Sequence, residues 1–225
     1  MADLIAGSGV AVFKIKICGI TNPKDALAAQ ESGADAVGLN FYSKSLRSLT
    51  DAKAERVIEV LNDEITRVGV FVNMATEKIN RIASQTKLDY IQLHGNESSA
   101  QAAEMSVPVI RAIRIINNDL ESAKKEIAEW DVSNVATFLL DAGSNAQFGG
   151  TGTQLPWDSL ETLRTEKGFV LAGGLNCDNV AQAVKSARPA GVDVASGIEK
   201  FPGAKDHEQM KLFINESKAA LNGLQ

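Results

Sequence analysis

The sequence predicts a single closed (β/α)8 barrel, a TIM barrel. Three observations carry that prediction: the length of the chain, the alternation of short β-branched runs with amphipathic helical stretches, and the count of such pairs, which is eight. The chain has 225 residues, 44% of them hydrophobic and only 5% aromatic. That composition supplies a large aliphatic core and suits one α/β domain. Parallel strands need crossovers of one hand, and eight consecutive βα units close into a barrel. An open doubly wound sheet is the alternative architecture, but no nucleotide-binding glycine fingerprint follows the first strand.

The elements follow in order. The first strand reads Phe13–Cys18, with Phe13, Ile15 and Ile17 on one face and Lys14, Lys16 and Cys18 on the other. Asn22-Pro23 places a capping side chain before a first-turn proline and Ser32-Gly33 supplies the stop, so a helix spans Pro23–Ser32. The second unit pairs Ala36–Asn40 with a helix over Asp51–Asn62, opened by Thr50. Arg67–Val72 precedes Thr76–Thr86, Tyr90–His94 precedes Ser98–Met105, and Val109–Ile115 precedes Asp119–Trp130. The last three units are Ala136–Asp141 with Trp157–Glu166, Phe169–Ala172 with Asn176–Ala187, and Val192–Ala195 with His207–Leu221. Residues 1–12 carry Asp3 and no basic stretch, so they read as a short flexible lead rather than a signal peptide, and residues 13–225 as the barrel.

Composition excludes several functions. Lys and Arg number 23 against 28 Asp and Glu, a formal charge of −5, which argues against a nucleic-acid footprint. No apolar run reaches membrane-spanning length. Two cysteines, Cys18 and Cys177, make no disulfide framework and fit a reduced, cytoplasmic setting. Two histidines far apart in the chain do not support a zinc site, so no metal is expected.

Candidate functional residues gather at strand ends. Cys18 lies at the C-terminal tip of the first strand, where barrels put their chemistry, with two lysines on its face to favour a thiolate. The alternative is a small buried hydrophobe. Continuing the parity of the first strand gives lumen positions Lys14, Lys16, Gln92, His94, Arg111, Asp141 and Asp193, with Lys16 paired to Asp193 across the first and eighth strands. Asp141 ends an apolar strand and has the setting of a general acid, or else of a loop cap. Gly173-Gly174 and Ser196-Gly197 follow the last two strands and form a candidate phosphate cup, with Asn176 capping the next helix. The glycine-rich loop from Asp141 to Trp157 reads as a lid. Arg47 is a candidate carboxylate clamp, or an exposed surface arginine.

Together these segments resemble the phosphoribosylanthranilate isomerase family of tryptophan biosynthesis. The matching runs are Lys16-Ile17-Cys18-Gly19-Ile20-Thr21, Val68 to Asn73, Gln92-Leu93-His94-Gly95, Leu140-Asp141 with Gly149-Gly150-Thr151-Gly152, Ala172 to Asn176, Val192 to Glu199, and Pro202 to His207. The resemblance covers nearly all of the chain after Val12 and implies a monomeric or homodimeric enzyme acting on a small phosphorylated substrate without any cofactor. It implies Cys18 as general base, Asp141 as general acid, Arg47 on the anthranilate carboxylate, Asp193 beside the substrate, and Gly173, Gly174, Ser196 and Gly197 around the phosphate. The sequence departs from the family pattern at Ser43 and Leu46, where prolines are frequent, which implies a looser Arg47 loop, and at Leu155-Pro156 before Trp157. A histidine-pathway isomerase carries aspartate at the position of Cys18, and a ribulose-phosphate epimerase needs several histidines. The remaining alternative is a non-catalytic sugar-phosphate-binding barrel.

Overall fold

Eight parallel strands close into one barrel in sequence order. They are β1 (Ile15–Cys18), β2 (Ala36–Asn40), β3 (Thr66–Phe71), β4 (Tyr90–Leu93), β5 (Val109–Ile115), β6 (Val135–Ala142), β7 (Phe169–Leu171) and β8 (Gly191–Val194). The computed structural model describes residues 12–142 and 156–224. Residues 1–11 of the expected lead, and the body of the expected lid with its Gly149–Gly152 run, lie outside the described residues.

Helices α1 (Pro23–Ser32), α2 (Asp51–Ile58), α3 (Thr76–Gln85), α4 (Ser99–Ala103), α5 (Leu120–Glu129), α6 (Val180–Ala187) and α7 (His207–Asn222) surround the sheet. Local chemistry sets their ends. Asn22 accepts from the Asp25 amide at 2.9 Å, and Gly33 ends α1 at φ 87°, a left-handed angle that costs glycine least. Asn176 Oδ1 accepts from the amides of Asp178 (2.9 Å) and Asn179 (3.1 Å), so it caps a turn and α6 begins only at Val180. Among the described residues of the sixth crossover, Trp157–Leu163 is a 3₁₀ helix where an α-helix was expected. A small antiparallel hairpin, β9 (Glu199–Phe201) and β10 (Ala204–Lys205), follows β8 and was not evident in the sequence.

Two apolar clusters fill the molecule. The larger lies between sheet and helices, with Ile15, Ile17, Leu39, Ile91 and Val192 facing α-helical partners such as Phe213. The smaller comprises Phe13, Ala36, Val68, Ile110, Ala112, Leu139, Val170 and Ala172, drawn from around the ring, and fills the lumen. This arrangement corrects three expectations. Phe13 precedes β1 and turns into the lumen cluster, away from the face of Ile15 and Ile17. Lys14 is exposed and outside the strand.

Arg111 also leaves the lumen. Its neighbours Ile110 and Ala112 occupy the inside, so the guanidinium points outward. It lies 4.2 Å from the Trp130 ring and pairs with Glu97 (3.0 Å) and Glu126 (2.6 Å). Alternation is fixed within a strand, but its phase is set anew in each strand by the turn that feeds it.

Candidate active site

The pocket at the C-terminal ends of the strands gathers every residue singled out by the sequence as a site candidate: Cys18, Arg47, Asp141, Asp193, Gly173, Gly174, Ser196 and Gly197. Asn40, Tyr42, Gln92 and His94 line it too.

Beneath the pocket, Lys16 is fully buried and donates to Asp193 Oδ1 (2.7 Å) and Gln92 Oε1 (3.1 Å). Burial pulls this ammonium down, but Asp193 and Cys18 outweigh it and the net shift is upward. Lys16 and Asp193 are paired in register across β1 and β8. Cys18, one turn of the pleat further up, is half-buried. Burial is the strongest influence on its thiol and pushes it above the ordinary range. Lys16, Lys205 and Arg47 pull it back while Asp193 adds to the rise. Of the two lysines expected to favour a thiolate, only Lys16 is among the groups that pull the thiol down, and burial outweighs the cations.

Room for Cys18 comes from β2. A Cβ on Gly38 would sit 2.7 Å from Cys18 Sγ and 3.0 Å from its Cα. Gly38 is paired in register with Cys18, so only the missing side chain lets the thiol lie there.

Arg47 is not a free surface arginine. Its Nε and Nη2 fork onto Glu199 at 2.8 and 2.6 Å, and Glu199 also accepts from Lys205 Nζ at 2.9 Å. Those two cations hold the Glu199 carboxyl below the usual range despite its burial, and Glu199 in turn raises Arg47. Lys205, buried and drawn down by desolvation, donates to the Ala195 carbonyl (2.9 Å) as well, tying the hairpin to the Ser196–Gly197 turn. The Arg47 loop itself is braced without prolines: Ser45 Oγ accepts from the Arg47 amide (3.1 Å) and from Asn40 Nδ2 (3.2 Å). Leu46 is 77% exposed.

The two glycine turns meet. A Cβ on Gly197 would strike the Leu175 carbonyl oxygen, and one on Gly173, whose φ is 83°, would come 2.8 Å from Asp141 Oδ1. Asn179 Nδ2 donates to the Gly174 carbonyl (2.9 Å). Backbone therefore approaches the pocket where a phosphate would need it. Across the mouth, His94 Nε2 lies 3.2 Å from Asp141 Oδ2.

Glu199, Lys205 and Gly38 escaped sequence reasoning. Glu199 and Lys205 sit in runs that match the family, yet their pairing depends on a two-strand hairpin too short to show a period. Gly38 reads as an ordinary strand residue until β1 is laid beside it. Among the described residues, no cluster of His, Cys, Asp and Glu is placed to hold a metal ion.

Comparison with known proteins places the chain. The family model described as N-(5'-phosphoribosyl)anthranilate isomerase matches residues 15–216. A relative of that name from Trichlorobacter lovleyi is 40% identical over 211 residues, covering 93% of this chain and 100% of its own. Among solved structures, a phosphoribosyl anthranilate isomerase in complex with reduced 1-(o-carboxyphenylamino)-1-deoxyribulose 5-phosphate aligns with a TM-score of 0.79 at 39% identity, over 92% of this chain and 100% of that one. Monomers generated from the dimeric enzyme of Thermotoga maritima align at 0.80 and 37% identity, again over 92% of this chain and 100% of that one. With a matching model across nearly the whole barrel and full-length relatives at this identity, the chain belongs to the N-(5'-phosphoribosyl)anthranilate isomerase family.

Proposed function

We propose that this pocket isomerises N-(5'-phosphoribosyl)anthranilate to 1-(o-carboxyphenylamino)-1-deoxyribulose 5-phosphate, with Asp141 as general acid and Cys18 as general base. One observation carries the assignment of roles: a thiol, a carboxyl group, a guanidinium and two glycine turns from separate strand ends line the same pocket. Asp141 gives a proton to the furanose ring oxygen, and the ring opens to a protonated imine. Cys18 takes the proton from C2′ of the sugar, and the electrons flow into the imine. The enolamine then tautomerises to the ketone. The imine is itself the electron sink, so the chemistry needs no metal or organic cofactor.

The charge pattern suits this sequence. A neutral thiol is a poor base, but the protonated imine brings a further positive charge beside Cys18 when deprotonation is required. Arg47 is oriented by its fork on Glu199, which uses Nε and one hydrogen of Nη2. Nη1 and the second Nη2 hydrogen remain for the anthranilate carboxylate. Asp193 lines the pocket and keeps Lys16 in place below the substrate. The Gly173-Gly174 and Ser196-Gly197 turns hold the phosphate by their backbone amides. A cytoplasmic enzyme, monomeric or homodimeric, fits this reading. The non-catalytic alternative predicts Cys18 and Asp141 replaced or apart; that both line one pocket supports the catalytic reading.

The test is direct. Mixed with freshly generated phosphoribosylanthranilate, the pure protein should deplete anthranilate-type fluorescence; absence of turnover would sink the isomerase reading. Cys18→Ser and Asp141→Asn should each lower kcat by roughly 10²–10⁴-fold, the range for a positioned proton-transfer group. Both should still bind the reduced product analogue. Near-normal kcat in either variant removes that residue from its role.

A further inference from the structure

A chain of hydrogen bonds runs beneath the pocket from the base side to the acid side. It starts at Asp193, passes through Lys16 and Gln92, and ends at His94. Its direction is fixed by donor counting. An ammonium has only donors, so the Gln92 atom facing Lys16 at 3.1 Å must be the carbonyl oxygen. The Gln92 amide nitrogen then faces His94 Nδ1 at 2.9 Å, and an NH2 group can only donate. Nδ1 must therefore be the bare, accepting nitrogen, and the proton of a neutral His94 must sit on Nε2. That nitrogen lies 3.2 Å from Asp141 Oδ2, yet it is buried and makes no aligned hydrogen bond among the described residues. Hydrogen bonds to catalytic groups are often misaligned without ligand and tighten when substrate arrives.

We propose that Lys16 and Gln92 lock His94 in its Nε2-protonated form, and that this N–H is a positioning donor that aims the Asp141 carboxyl group at the substrate. The inference rests on the reading of Asp141 as the acid. Lys16, placed under Cys18, thus also reaches the opposite side of the pocket. A carboxyl group held at one oxygen by His94 presents the other oxygen to the ring oxygen of the sugar.

The tautomer is measurable without turnover. The chain has only two histidines, so ¹⁵N-labelled protein at pH 8, where an ordinary imidazole is neutral, gives two ring patterns, and His94→Gln identifies one of them. His94 should show Nε2 at its protonated limit and Nδ1 at its bare limit. Gln92→Glu puts an acceptor opposite Nδ1 and should draw the proton onto that nitrogen. Averaged shifts, or a proton on Nδ1 in the unaltered protein, would overturn the lock. In kinetics, His94→Leu should cut kcat roughly 10- to 100-fold, part of the contribution of a positioned acid, with KM little changed. His94→Gln, which can still offer an N–H at that depth, should recover most of the loss. Equal losses in the two variants, or normal kcat in His94→Leu, would reduce His94 to filler. Wild-type kcat in Asp141→Asn would sink the acid reading, and the role of His94 with it, whichever tautomer is found.

Discussion

Cys18 is held between opposing influences, and the balance makes a prediction. Burial raises its thiol, and the positive charges of Lys16, Lys205 and Arg47 lower it incompletely. A base acts only when deprotonated, so kcat/KM should fall as pH drops through the thiol value of the free enzyme. That value is raised, so the limb should lie above the ordinary thiol range of about 8.5, and Cys18→Ser should abolish it. A profile flat through this region would exclude the thiol as base. Glu199 offers a second test. Glu199→Gln keeps the shape but removes the charge that orients Arg47. KM should rise roughly tenfold, the equivalent of about 1.4 kcal/mol, while kcat falls less; an unchanged KM would contradict the clamp. At this scale the sequence was informative about reactive types at strand ends, because Cys18 and Asp141 stand out from apolar runs. Partners were less legible. Glu199 meets Arg47 across 152 positions of chain, and only the closed fold brings the two together.

At the scale of elements, caps and glycine stops were readable because their bonds are local, as at Asn22 and Gly33. Phase was not. Arg111 was expected inside, but the chain re-enters β5 with Ile110 and Ala112 inward, and an outward arginine finds Trp130 and two carboxylates instead. The 3₁₀ crossover at Trp157–Leu163 carries an apolar pattern too short to separate the two helix types. β2 gives the prediction at this scale. Gly38→Ala would press a methyl on Cys18 Sγ and its backbone. Overpacking of this kind costs about 1–3 kcal/mol, so the variant should stay folded with a modestly lower Tm and a disproportionately lower kcat. Wild-type kcat there would show that the thiol has room to spare.

For the whole molecule, the pair Lys16–Asp193 is both a seam and a support. Both groups are buried, and they join the first strand to the last. Lys16→Met leaves Asp193 in the core without its cation, and unfolding in urea should show a loss of about 3–5 kcal/mol, the usual penalty for one orphaned partner. Asp193→Leu added to it should restore stability without restoring activity. A single variant as stable as the parent would mean that water replaces the ammonium. Barrel closure itself was legible from eight repeats of one unit, since repetition survives errors in any one of them.

The seam has a consequence in time. Residues of β1 leave the ribosome before those of β8, and Cys18 acquires Asp193, Lys205 and the Arg47–Glu199 pair as neighbours only when both ends of the ring have met. Until then the thiol stands on an unfinished sheet, without the charged neighbours that the closed barrel gives it. Cys18 thus precedes β8 in synthesis and waits on it for its surroundings.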